Sequence, residues 1–146
     1  LLENNIFSDS SFILKSINTL QAVERELAKQ VNNVLIPIRF KDDFWNGEVV
    51  GQNGIGRPWP MGSAMISQCY SLIARKAADV NNPLIQSFAS QKAKFWLVQF
   101  ENCPNVHMFP EQVDFDGSIS KTAPKNLTWC AAEYLKAKRL VEESEN

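Results

Sequence analysis

Glu111 follows a proline inside an apolar stretch and precedes Asp114, Asp116 and Gly117, in the run "HMFPEQVDFDG". A carboxylate that activates water must be ionised yet lie close to low-dielectric surroundings, so that its pKa can be tuned to the working pH. Met108, Phe109 and Pro110 could supply such surroundings; the plainer reading of Glu111 is a surface carboxylate. Asp114 and Asp116 read as turn formers, with Gly117 taking the positive dihedral. Two aspartates without a further ladder of oxygen ligands are a thin set for calcium. His107, among Val106, Met108 and Phe109, reads as a satisfied, partly buried histidine rather than a catalytic one.

A second stretch, "IRFKDDFWNG" followed by "GRPWP", gathers Arg39, Asp42, Asp43, Trp45 and Trp59. Sugar hydroxyls suit planar, bidentate partners such as Arg and Asp, and the apolar face of a pyranose suits an aromatic wall. The competing reading is structural: Arg39 and Asp43 form an ion pair, and the tryptophans fill the core.

Helices must position these loops. Ile13, Ile17, Leu20, Val23, Leu27 and Val31 recur three or four apart and predict a first helix, capped from Ser8, Asp9 or Ser10. "NNVLIP" ends it. Residues 36–58 have no helical period and hold four of the six glycines. A loop of this length inside a compact domain is usually functional or disordered, and Phe40, Phe44 and Trp45 argue against disorder. A second helix is predicted from Pro60, burying Met61, Met65, Cys69, Leu72, Ile73 and Ala77. A third opens at Asn82–Pro83 and continues through Leu84, Phe88, Trp96 and Phe100. A fourth begins between Pro124 and Leu127 and contains Trp129, a residue type more often in the core than at a ligand. "VLIPIRF" is demoted as a strand by Pro37.

The chain therefore reads as all-α, about four helices in antiparallel hairpins. In that topology helices two and four point the same way, so the loops preceding them share one end. Arg39, Asp43 and Trp59 would then lie on the same side as Glu111.

Composition narrows the function classes. A net charge of −1 without a basic stripe disfavours nucleic acid and anionic membranes. No apolar run reaches the roughly 20 residues of a membrane span, and no signal peptide is visible, which leaves the compartment open. Cys69, Cys103 and Cys130 are widely spaced and odd in number, suggesting neither disulfides nor zinc. Cys69 and Cys130 read as small buried hydrophobes. "NLT", Asn126 to Thr128, matches a glycosylation tripeptide that is common by chance.

Taken in order, "RFKDDFWNG…GRPWPMGSAMISQCY" and "FPEQVDFDGSISKTAPKNLTWCAAEYLKA" resemble the C-terminal part of the catalytic domain of glucoamylases, glycoside hydrolase family 15. The resemblance covers roughly residues 9–141. It implies a partial α/α toroid, with residues 1–146 forming part of a six-hairpin domain of a longer chain. It further implies that Glu111 is the general base and Arg39 a substrate-binding arginine. Asp43 and Trp59 would shape the sugar site, and Trp129 would pack behind the base. Phe40 stands where many members have tyrosine, and "EVVGQNGI" lengthens the loop before Arg57.

The family inverts configuration, with a carboxylic acid and a carboxylate roughly 6.5–9.5 Å apart. No residue of this chain matches the family's general acid. The resemblance implies hydrolysis of terminal α-1,4-glucosidic bonds of gluco-oligosaccharides by the parent, with no metal or organic cofactor, and an inactive fragment. Hairpin edges left bare would favour self-association. The other reading of the resemblance is a non-catalytic regulatory domain, as in the regulatory subunits of phosphorylase kinase.

Overall fold

The computed structural model describes residues 10–43, 56–119 and 123–145. Among them are four α-helices and one two-stranded hairpin: α1 (Ser10–Leu27), β1 (Ala28–Val31), β2 (Val34–Pro37), α2 (Pro60–Asp79), α3 (Pro83–Glu101) and α4 (Thr128–Glu145). A single 3₁₀ turn covers Val106–Met108. The chain is thus mostly helical, as its periodicity implies. Ser8, Asp9, Phe44, Trp45 and the "EVVGQNGI" stretch lie outside the described residues.

The first helix stops four residues earlier than its apolar period suggests. Val31 belongs to a strand, and β1 pairs antiparallel with β2 in the register Ala28↔Pro37 to Val31↔Val34. Asn32 takes a left-handed φ of 50° in the two-residue turn, which suits the twist of a tight hairpin. Pro37 is accommodated because it ends the strand, where its missing N–H costs nothing. Val31, Val34 and Ile36 then bury against Cys103 and Val113. Gln99 of α3 accepts the outward N–H of Leu35 at 2.8 Å.

The α2 helix is the centre of the molecule. Pro60 opens it, and its buried residues occupy most of its circumference, Ser63, Ser67, Gln68 and Ser71 included. Ser67 donates to the carbonyl of Ala93 at 2.8 Å and Tyr70 meets Phe88 edge-on, so α2 and α3 run antiparallel. Asn82 caps α3 by accepting from the N–H of Ile85, with Pro83 in the first turn. Gln68 bonds Glu133, and Arg75 pairs with Glu143 further along both helices, so α2 and α4 are parallel.

Two expected stripes are rotated. Met61, Ile73 and Ala77 are buried, but Met65, Cys69 and Leu72 form an exposed line along α2. On α3 the small residues Ala89 and Ala93 face inward with Trp96, Leu97 and Phe100, whereas Leu84 is exposed and Phe88 sits at the surface. Small side chains let α2 and α3 approach closely, which period counting of large residues misses. An apolar groove of about 960 Å³ runs between α1 and α2, beside the exposed line.

Candidate functional site

The two long loops meet at one end of the helices. Val113 N–H donates to Pro58 O at 3.0 Å, beside the start of α2, and Glu111 N–H donates to Pro124 O at 2.9 Å, beside the start of α4. Trp59 N–H donates to Pro37 O at 2.8 Å. The Glu111–Gln112 stretch is therefore held by backbone bonds between both helix starts, and the end of β2 is tied to the same place.

Local sequence explains how the stretch turns. Asn105 and Phe109 flank the 3₁₀ turn in left-handed conformations, which reverse the chain before Pro110. His107, in that turn, is exposed rather than partly buried. Downstream, Gly117 N–H closes a turn onto Asp114 O, at a φ of 80° that favours glycine. Hydrogen bonding from the Ser118 side chain and from its N–H lowers the pKa of Asp116, and Asp114 pairs with Arg57 at 2.5 Å. Both aspartates are thus turn and anchoring residues, and among the described residues no cluster suits a metal ion.

Arg39 and Asp43 form a bidentate pair, Nε to Oδ2 at 2.8 Å and Nη2 to Oδ1 at 2.7 Å. Asp43 is 1% exposed. Gly56 makes that burial possible, since a Cβ there would fall 2.5 Å from Asp43 Oδ2. Bonding to Asp43 raises the Arg39 pKa against the opposing effect of burial, and the charges of Asp43 and Glu111 raise it further. Glu111 is therefore within electrostatic reach of the guanidinium. Arg39 also lies over the rings of Trp59, at 5.1 Å, and Phe40, at 5.3 Å.

A cleft of about 440 Å³ opens beside Arg39, within the range of small-ligand sites. Trp59, Trp129, Met65, Leu27 and Ile38 line it with Arg39. Trp129 is 53% exposed, so its ring faces solvent at the cleft instead of packing away. Of the five residues singled out from the sequence, Arg39, Trp59 and Trp129 line the cleft. Asp43 stands behind Arg39, and Glu111 adds its charge from the adjoining loop.

Gln112 was not singled out, although its side chain is 0% exposed and both its amide atoms lack hydrogen-bond partners among the described residues. The buried indole N–H of Trp59 is likewise unpaired among them. Nothing in residue type or spacing marks a glutamine as buried, so only the position beside Glu111 could have drawn attention to it. The chain matches no protein-family model, no curated protein and no solved structure.

Proposed function

We propose that this chain carries the sugar-binding and base-bearing part of an inverting α-glucosidase of glucoamylase type. The observation that carries the reading is the convergence of the Arg39–Asp43 pair, Trp59, Trp129 and the Glu111 turn at one end of α2 and α4. The guanidinium and the indole rings offer a pyranose both hydrogen bonds and an apolar wall. The Glu111 carboxylate has no hydrogen-bond partner of its own among the described residues, which leaves its oxygens available to orient a water. Asp43 is unsuited to that task, because Arg39 occupies both its oxygens.

The reaction needs a second carboxyl that protonates the leaving oxygen, on the opposite face of the sugar from the base. In this reading it comes from another part of a longer chain, and the 146 residues alone bind without turnover. The exposed Met65–Cys69–Leu72 line would be covered there by further hairpins. Without them a second copy would cover it, and light scattering on the isolated chain should exceed its 16.5 kDa monomer mass.

Maltotriose incubated with the longer protein should release β-glucose first, seen by proton NMR of the anomeric signal. Glu111→Gln should abolish turnover and leave binding intact. Undiminished hydrolysis by that variant would remove Glu111 from the mechanism.

A further inference from the structure

Exposed indoles are ordinarily free to change rotamer, and a ligand that stacks on one must first order it. Trp129 is exposed but fixed. Its Nε1–H donates to Glu133 Oε1 at 3.0 Å, one helical turn along α4. The other carboxylate oxygen, Oε2, accepts from Gln68 Nε2 at 2.7 Å, and Gln68 also donates to the Glu133 carbonyl at 2.9 Å. Gln68 is itself buried in α2. The position of the Trp129 ring is thus referred through Glu133 to the central helix. The other indole in the cleft, Trp59, already has Arg39 over its ring, so Trp129 offers the barer aromatic face.

We infer that Gln68 and Glu133 are positioning residues that hold Trp129 as a pre-set stacking wall for a pyranose ring. This rests on the sugar-site reading above and extends it from the residues that touch the ligand to the pair that fixes one of them. The Glu133 side chain serves the wall, while the bond from Gln68 to the Glu133 backbone survives its removal. Glu133→Ala therefore keeps the α2–α4 link.

The test is calorimetry with maltotriose, with fluorescence anisotropy of Trp129 isolated by subtracting Trp129→Phe. Glu133→Ala should weaken binding by about 3–10-fold, the cost of ordering one large side chain. It should also lower the Trp129 anisotropy without shifting the melting temperature, and Glu133→Gln, which keeps an acceptor for the indole, should restore most of both. In the Trp129→Phe background Glu133→Ala should add no further loss. Unchanged affinity in Glu133→Ala, or an equal loss in the Trp129→Phe background, overturns the positioning role while leaving the sugar site standing. A wild-type chain that binds no maltotriose overturns the sugar site, and the wall with it.

Discussion

Two regions of this molecule combine the same residue types and use them differently. In the seam between α1 and α3, Glu24 accepts from Trp96 Nε1 and from Lys92 Nζ, both at 2.6 Å. Lys92 also lies over the rings of Tyr70 and Phe95. Burial and the neighbouring Glu24 charge push the Tyr70 hydroxyl well above its ordinary pKa. Carboxylate, cation and indole there satisfy one another, and the seam is closed. At the rim, Asp43 and Arg39 satisfy one another, but the Trp59 indole N–H and the Glu111 carboxylate have no hydrogen-bond partners among the described residues. Two aromatic side chains, Phe40 and Trp129, face solvent there. A carboxylate beside a cation and an indole is therefore not a site by composition. The buried Tyr70 hydroxyl of the seam also lacks a hydrogen-bond partner among the described residues, so what distinguishes the rim is capacity that a ligand can reach, at the partly exposed Glu111 and the solvent-facing rings of Phe40 and Trp129.

That contrast can be broken by substitution. The largest effect should come from Asp43→Ala, which leaves Arg39 uncompensated beside a cavity. Removing one partner of a buried pair costs about 3–5 kcal/mol; since Arg39 is about one-third exposed, water screens part of this, and about 2–4 kcal/mol is expected by urea unfolding. Next comes Glu24→Ala in the seam. It strands the buried Trp96 N–H and should cost about 1–3 kcal/mol, with no effect on sugar affinity. Glu111→Gln should change stability by less than about 0.5 kcal/mol, because its charge acts on the fold only through a solvent-screened attraction to the partly exposed Arg39.

A pH effect sharpens the picture away from both regions. Burial holds the thiol of Cys130 up to about 11, and burial together with the Cys130 charge holds that of Cys103 up to about 12, against an ordinary 9.0. In the unfolded chain both ionise near 9.0, so above that pH the unfolded state binds fewer protons than the folded one. Their contribution to stability is complete below pH 9 and should decline as pH rises towards 11–12. Replacing both with alanine should flatten that decline in thermal melts. At neutral pH no difference in slope is expected.

Much of this arrangement was legible in the sequence. Pro60 and Asn82–Pro83 fixed where α2 and α3 begin, because proline and asparagine act locally. The shared end of the two loops followed from counting hairpins. The β1–β2 hairpin was not legible: its apolar residues continue the helical period of α1, and only packing on Cys103 and Val113 decides for a strand. The inward face of α3 was missed because Ala89 and Ala93 are small, and close approach of helices cannot be seen in a count of large side chains. Arg39 and Asp43 lie in one loop, and their opposite charges made an ion pair the competing reading, which the bidentate contact bears out. The orphaned amide of Gln112 and the Gln68–Glu133–Trp129 chain depend on tertiary contacts, which no spacing in the sequence encodes.

The central claim, that the rim has binding capacity which the seam lacks, can be read from indole N–H signals in a proton–nitrogen correlation spectrum during a maltotriose titration. The Trp59 and Trp129 signals should shift with the backbone amide of Glu111, along one common binding curve, while the Trp96 signal stays fixed on Glu24. A spectrum in which the rim signals remain still, or in which Trp96 moves as far as they do, would contradict the account.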